Sequence, residues 1–170
     1  MAHLQHFNPS FSFDPPLPPH AKISLSASSY NMCMKGFNLP VQVTSVPLDR
    51  GEANDGEPKS VTVLAHLDLG AFSTCIDKKL ATALELFPIG RSRIQTVDGF
   101  TQAKKYIVTI SFPNTNLRGS LMYVVEADLS YKGNESNLDP NNFSVLIGRD
   151  IAANWNIVWN GPTSTAFISD

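Results

Sequence analysis

The sequence has little of what marks several large functional classes. Its 170 residues include two cysteines, and 13 Lys and Arg residues nearly balance 15 Asp and Glu residues, which leaves a formal charge of -2. Cys33 and Cys75 have no Cys or His partner at metal-ligand spacing, and two isolated cysteines fit a reducing compartment better than a disulfide framework. No block of basic residues forms a nucleic-acid footprint. We therefore expect no metal, no other cofactor and no nucleic-acid partner.

Long apolar runs and a secretion signal are also missing. No stretch approaches the roughly 20 apolar residues of a membrane helix. The N-terminus passes from Met1 through His3 and His6 into Phe, Pro and Ser, without the basic and then apolar order of a signal peptide. These features predict a cytoplasmic protein with no membrane partner. The length predicts one domain with a sizeable core.

Proline is concentrated in residues 1–22, at positions 9, 15, 16, 18 and 19. This density excludes a regular helix and favours an extended arm. The arm also carries Phe7, Phe11, Phe13 and Leu17, which could pack on the domain or on a second subunit. A loose tail is the equal alternative. We assign residues 1–22 to a Pro-rich N-terminal arm and residues 23–170 to the folded domain.

Beyond the arm the hydrophobic pattern is that of short β-strands. Val61–Leu67 is apolar enough to predict a strand buried on both faces. A helix is predicted from Asp77 to Leu86, with Asp77 as its N-cap, and a second short helix from Ile151 to Trp155. Asp98-Gly99 is a strong hairpin-turn signal. Alternating or apolar runs predict the other strands: Ile23–Ser26, Leu39–Thr44, Ile94–Val97, Tyr106–Phe112, Leu121–Val125, Val145–Ile147, Ile157–Trp159 and Ala166–Ile168. The expected fold is a mostly-β, closed barrel with one or two short helices.

Two distant stretches carry the chemistry. The apolar strand Val61–Leu67 runs straight into Asp68-Leu69-Gly70-Ala71, and Val145-Leu146-Ile147 runs into Gly148-Arg149-Asp150. A carboxylate delivered by a buried strand is costly unless it is paired, hydrogen-bonded or chemically employed. Asp68 could also be an ordinary turn residue, since Asp is common in turns.

Together these stretches resemble the retropepsin-like, single-lobed aspartic peptidases. That family has an apolar strand followed by Asp-Thr/Ser-Gly-Ala and a late apolar-Gly-Arg-Asp segment, and the resemblance extends from about Val41 to Ile168. It implies that Asp68 is catalytic. The resemblance also implies an active-site loop at Leu69, Gly70 and Ala71 and structural support from Gly148, Arg149 and Asp150. The implied substrate-binding residues are Phe72, Val97, Asp98 and Gly99, with Asp98-Gly99 in the flap, a mobile hairpin that covers bound peptide. The resemblance further implies that Arg149 pairs with a carboxylate.

The resemblance also implies a homodimer that cleaves peptide or protein substrates. Such a peptidase needs two facing carboxylates, and two like charges about 3 Å apart cannot both ionise. One carboxylate then activates a water molecule while the other protonates the scissile carbonyl. Because this chain offers one Asp in the required turn, the second must come from Asp68 of a symmetry-related subunit.

Two residues depart from the family pattern. Leu69 replaces the Thr or Ser whose hydroxyl bonds across the dimer axis, and Phe72 replaces a small or polar residue beside the substrate. These changes keep a second function open, that of a catalytically silent module that dimerises or binds extended peptides. A β-barrel interaction domain that shares only the fold is a third option. By strand alternation His66 lies on the face opposite Leu67, where a satisfied, non-catalytic histidine is expected. The aromatic residues expected in the core or at an interface are Tyr106, Tyr123, Trp155 and Trp159.

Overall fold

The fold is described from a computed structural model. The structure describes residues 23–26, 36–48, 57–96, 99–113, 115, 117–129, 143–162 and 165–169. The Pro-rich arm 1–22 and the flap residues Val97 and Asp98 lie outside the described residues.

The described residues are mostly β, as the sequence predicts. The strands are β1 (Ile23–Ser26), β2 (Phe37–Ser45), β3 (Ser60–Leu67), β4 (Cys75–Asp77), β5 (Gly90–Thr96), β6 (Gly99–Ser111), β7 (Ser120–Ala127), β8 (Val145–Ile147), β9 (Asn156–Asn160) and β10 (Thr165–Ser169). The helices are α1 (Lys78–Ala83) and α2 (Arg149–Ala152).

The strands form two sheets. The larger has the order β2-β3-β8-β4-β7-β6-β5, and β2 also pairs with β6. The smaller sheet is antiparallel with the order β1-β10-β9. In the larger sheet β8 lies between β3, which is parallel to it, and β4, which is antiparallel to it. Because β3 and β8 are neighbours, Asp68-Leu69-Gly70-Ala71 and Gly148-Arg149-Asp150, which follow these strands, lie side by side.

The burial of β3 corrects one sequence expectation. Val63, Ala65 and Leu67 point into the core and are at most 8% exposed, but the alternate residues, including His66, are half-buried or exposed. The prediction of a strand buried on both faces was therefore wrong. The outer face of β3 is covered only in part, where the ring of Phe143 stacks on His66.

The first helix confirms its predicted cap but is shorter than expected. Asp77 is 4% exposed, and its Oδ1 accepts a hydrogen bond from the Lys79 backbone N–H at 2.7 Å. The helix ends at Ala83 because Glu85 has a positive φ of 51°, which breaks the helical path. Helix α2 begins two residues earlier than predicted, at Arg149. Among the described residues no helix is long and apolar enough to cross a membrane.

The predicted aromatic residues divide into two groups. Tyr106 is buried, and Trp155 packs edge-on against Phe112 in the core. Tyr123 and Trp159 are mostly exposed, and Trp159 contacts Phe37 edge-on at 5.0 Å between ring centroids. An interface role for these two exposed rings stays a prediction.

Candidate active site

The candidate site is the turn that follows β3, which we call the acid turn and define as residues 68–72. Leu67 pairs with Ile147 of β8, and the Asp68 backbone N–H donates to the Ile147 carbonyl at 3.0 Å. The sheet register therefore fixes the start of the turn against the residue that precedes Gly148. Strand β3 thus delivers Asp68 to the point where β3 and β8 end together.

Hydrogen bonds inside the turn hold the Asp68 carboxylate. The Gly70 backbone N–H donates to Asp68 Oδ1 at 2.7 Å, and the Ala71 N–H donates to the Asp68 carbonyl at 3.2 Å. A side chain at Gly70 would place its Cβ 2.9 Å from Asp68 Oδ1, too close for an ordinary contact. Gly70 therefore allows the backbone to approach the carboxylate. Among the described residues no hydrogen bond is made to Asp68 Oδ2, so this oxygen can face a reactant or another carboxyl group.

A second set of bonds fixes the inner side of the turn to α2. The backbone N–H groups of Arg149 and Asp150 donate to the carbonyls of Ala71 and Phe72 at 3.1 and 3.2 Å. They are among the first N–H groups of the helix, which have no partner inside it. The backbone of the helix thus binds both turn carbonyls directly.

Further bonds join the side chains of Thr74 and Asp150 to each other and to the Gly148 backbone. We call these three residues the turn clamp. The Thr74 hydroxyl donates to Asp150 Oδ1 at 2.6 Å and accepts from the Gly148 N–H at 3.1 Å. The Thr74 N–H donates to Asp150 Oδ2 at 2.8 Å. Both carboxylate oxygens of Asp150 are thus used, and the fully buried Thr74 is satisfied. The sequence predicts a supporting role for Gly148 and Asp150 but gives no signal for Thr74.

Gly148 is required by close packing. Its φ of -90° is open to any residue. A Cβ there would lie 2.6 Å from the Ser73 carbonyl carbon and 2.9 Å from the Thr74 nitrogen, both backbone atoms. The two chain segments can cross only because this position has no side chain.

Arg149 has a different partner from the one expected. Its Nε donates to the Ala71 carbonyl at 3.3 Å, while the side chain stays exposed. The ion pairs of the described residues are Lys59–Glu85 and Lys104–Glu126, and neither involves Arg149. The predicted carboxylate partner is thus absent from the described part of the chain. Arg149 supports the same turn, through a carbonyl.

The outer side of the acid turn is apolar and open. Leu69 is 53% exposed and Phe72 is 76% exposed, the latter being the most exposed large apolar side chain described. Exposed apolar side chains that flank a carboxylate form a surface suited to covering by another chain.

His66 and Cys75 lie near the carboxylate but are not placed to react. His66 Nδ1 is hydrogen-bonded to Asn38 Oδ1 at 3.0 Å, and its ring stacks on Phe143. Burial lowers the pKa of His66, and the charge of Asp68 partly offsets this effect. Burial, with the charges of Asp150 and Asp68, raises the pKa of Cys75 to about 11, which leaves its thiol protonated and unreactive at neutral pH.

Of the predicted flap, only Gly99 is described. It pairs with Thr96 across the hairpin of β5 and β6 and has a φ of 115°, a conformation that favours glycine. Substrate contact by Val97, Asp98 and Gly99 stays a prediction. Within the described residues, no group of three His, Cys, Asp or Glu side chains is arranged to hold a metal ion.

Solved structures to which the chain shows similarity include the following three, each with a TM-score below 0.5. The solution structure of Simian Foamy Virus (mac) protease is 18% identical, with a TM-score of 0.41, and the match covers 69% of this chain and 92% of that one. A foamy viral protease-reverse transcriptase in complex with an RNA/DNA hybrid has the same identity and TM-score, and the match covers 11% of that chain. A retropepsin-like aspartic protease from Rickettsia conorii is 10% identical, with a TM-score of 0.43, and the match covers 88% of this chain and 93% of that one.

This chain is at most 18% identical to these three proteins. No protein-family model matches it, and no curated protein matches it.

Proposed function

We propose that this chain is one subunit of a homodimeric aspartic endopeptidase in which Asp68 of each subunit supplies one catalytic carboxylate. The observation that carries the proposal is the acid turn. Strand β3, buried on its inner face, ends at Asp68, whose Oδ1 accepts the Gly70 N–H at 2.7 Å, and hydrogen bonds attach the turn to α2.

The chemistry follows from two carboxyl groups that share one proton. The ionised carboxylate takes a proton from a water molecule as the water oxygen bonds to the scissile carbonyl carbon. The protonated carboxyl group gives its proton to the carbonyl oxygen, which forms a neutral tetrahedral diol. Proton transfer to the amide nitrogen then accompanies cleavage of the C–N bond and releases an acid and an amine. Activity should be highest below neutral pH, because the shared proton is lost as pH rises.

The open side of the turn supports a two-subunit site. Leu69 and Phe72 are exposed in the single chain and flank Asp68. Burying them between two subunits, or against a bound peptide, would remove apolar surface from water, which favours association by about 25 cal/mol per Å². The proposal also includes a closed barrel, supported by the pairing of β2 with both β3 and β6.

The test combines cleavage with molecular mass. Asp68→Asn keeps a side chain of the same size but cannot supply a carboxylate. We expect a loss of peptide cleavage at pH 5 of about a thousandfold or more, the scale of losing a catalytic group. Asp128→Asn, at an exposed position, is the matched control and should keep full activity. Light scattering should report a dimer for all three proteins.

Two results would overturn the proposal. Full cleavage by Asp68→Asn would mean that another group catalyses the reaction. Cleavage by a protein that light scattering shows to be strictly monomeric would exclude a dyad shared between two subunits. A dimer of the wild-type chain that cleaves no peptide in a broad library would favour the second candidate, a silent dimerisation or peptide-binding module. The exposed Leu69 and Phe72 are the observation that favours this candidate, because a silent module needs the surface but not the carboxylate.

A further inference from the structure

A cationic surface lies on one face of the hairpin formed by β5 and β6. Arg91 is directly opposite Lys104, and Arg93 is opposite Gln102. Directly opposed residues of an antiparallel pair project from the same face, as do residues two apart along a strand. Arg91, Arg93 and Lys104 therefore share one face, and all three are exposed. We call this set the basic face.

The basic face has little charge compensation in the described part of the chain. Lys104 Nζ lies 3.8 Å from Glu126 Oε2, but neither Arg91 nor Arg93 has an ion-pair partner among the described residues. Like charges directly opposite each other on two strands are destabilising. The fold therefore keeps the Arg91–Lys104 pair at a cost, in a chain whose formal net charge is -2.

An aromatic ring completes the surface. Phe100 is 61% exposed, and the Arg93 guanidinium lies 4.0 Å from its ring centroid. Cations alone could serve to keep an edge strand from aggregating. An exposed Phe beside them does not serve that purpose, because it adds apolar surface to the same edge. The combination of guanidinium groups and an exposed ring is instead typical of a binding surface.

The backbone supplies a second recognition element. In the described sheet β5 pairs only with β6, so its other edge is free. Every second residue of such an edge strand directs its N–H and C=O groups outward. A peptide that adds as a further strand would pair with these groups. Arg91 and Arg93 are two residues apart, or about 6.7 Å, which matches the spacing of alternate side chains on an added strand.

We propose that the free edge of β5 binds an extended acidic peptide by strand addition, with alternate carboxylates of the peptide against Arg91 and Arg93. Phe100 holds the Arg93 guanidinium over its ring, 4.0 Å from the centroid, and so orients it for the peptide carboxylate. The proposal does not depend on peptidase activity, so binding is measured on the Asp68→Asn chain, in which the bound peptide cannot be cleaved by the proposed dyad.

The probe is a fluorescein-labelled peptide of the seven-residue length of β5, in which Glu alternates with Thr. Fluorescence anisotropy should show binding that weakens as salt is raised, because the contacts are charged and exposed. Arg91→Glu with Arg93→Glu should weaken binding by about tenfold or more. Lys78→Glu with Lys79→Glu makes the same charge change at exposed positions of α1 and should bind as the parent does.

Three further measurements make the proposal specific. Thermal melting of each variant checks folding, and Arg91→Gln with Arg93→Gln, which removes charge without reversing it, should give an intermediate loss. A peptide of the same composition with its Glu residues in one block should bind more weakly. Two further peptides carry N-methyl groups on the odd-numbered or on the even-numbered backbone nitrogens. Only one of the two should fail to bind, because only every second N–H of an added strand faces β5.

Some outcomes would overturn the proposal. The proposal is wrong if the block and alternating peptides bind with equal affinity. It is also wrong if the Lys78/Lys79 variant loses as much affinity as the Arg91/Arg93 variant, because binding would then depend only on the net charge of the protein. Tighter binding of single-stranded DNA, lost in Arg91→Glu with Arg93→Glu, would identify the surface as a nucleic-acid site instead. Because none of these readouts requires cleavage, failure here leaves the proposed peptidase intact, and failure of the peptidase leaves this test intact.

Discussion

The two sides of the acid turn are built in opposite ways. On the side that faces α2, Thr74, Gly148 and Asp150 are joined by short hydrogen bonds and by backbone packing that leaves no room for a Cβ. On the other side, Leu69 and Phe72 contact mostly solvent in the single chain. The inner side is complete within one chain, whereas the outer side becomes complete only when something covers it. Changes to the inner side should therefore alter folding stability, and changes to the outer side should alter association.

The largest stability effect is expected at Gly148. Gly148→Ala places a Cβ 2.6 Å from a backbone carbon of Ser73, and backbone cannot rotate out of the way as a side chain can. We expect a loss of about 3 kcal/mol in the free energy of unfolding, measured by urea denaturation. Gly90→Ala is the matched control, because nothing lies within 4 Å of its added Cβ. It should change stability by less than about 0.5 kcal/mol. Equal losses in both variants would contradict close packing as the reason for Gly148.

The second-largest loss of stability is expected at Asp150, whose carboxylate belongs to the turn clamp. Asp150→Asn leaves one oxygen to accept from the Thr74 hydroxyl but replaces the other acceptor with an NH₂ group, so the Thr74 N–H loses its partner. The expected cost is about 2 kcal/mol, because a charged hydrogen bond is lost and a buried donor is left unsatisfied. Asp128→Asn again serves as control. If Asp150→Asn unfolds at the same urea concentration as the wild type, the clamp contributes nothing to stability.

The sequence predicts this inner side better than the outer one. The apolar strand, the Asp-x-Gly turn and the Gly-Arg-Asp segment are local patterns, and the structure brings them together through β8. Strand β4 is absent from the sequence prediction, because three residues are too few to show a period. Strand β6 is longer than the predicted Tyr106–Phe112, since its first half is polar and is held by pairing with β5.

Other properties could not be predicted because they depend on distant partners. The Thr74–Asp150 bonds join residues 76 positions apart, and nothing in the local sequence of Thr74 indicates them. The half-burial of His66 depends on Phe143, which is also far along the chain. Arg149 was expected to meet a carboxylate and instead contacts a carbonyl of the acid turn. Strand and turn chemistry is local, whereas the partners of polar side chains are set by the assembled fold.

Replacement of Leu69 tests whether the outer side of the acid turn controls association between subunits. In Leu69→Thr the new hydroxyl could bond across the proposed dimer axis, and a net hydrogen bond contributes about 0.5–1.5 kcal/mol. Because Leu69 is 53% exposed within the chain, its removal leaves little cavity inside the subunit. We expect the dimer dissociation constant, measured by sedimentation, to fall by about tenfold and peptide cleavage to become faster. Leu121→Thr, at a leucine of β7 that is 60% exposed, should change neither the dissociation constant nor the rate of cleavage. A looser dimer without a gain in cleavage would mean that the apolar contact of Leu69 outweighs the added hydroxyl and that the acid turn serves association rather than catalysis, which favours the silent module.

The smallest effect is expected at His66, which lies just before the acid turn on the half-buried face of β3. Burial lowers its pKa below the usual 6.5 in the folded chain, so near pH 6 the unfolded chain binds more protons at this position. Its contribution to stability is therefore fully present above pH 6.5 and is lost as pH falls through the folded-state pKa. Solvent contact keeps the effect small. Thermal melting at pH 7.5 and 5.5 should show a slightly larger drop for the wild type than for His66→Gln, whose side chain does not titrate. An equal drop in both proteins would show that His66 does not couple the acid turn to pH, and that the acid sensitivity of the fold arises from its carboxylates alone.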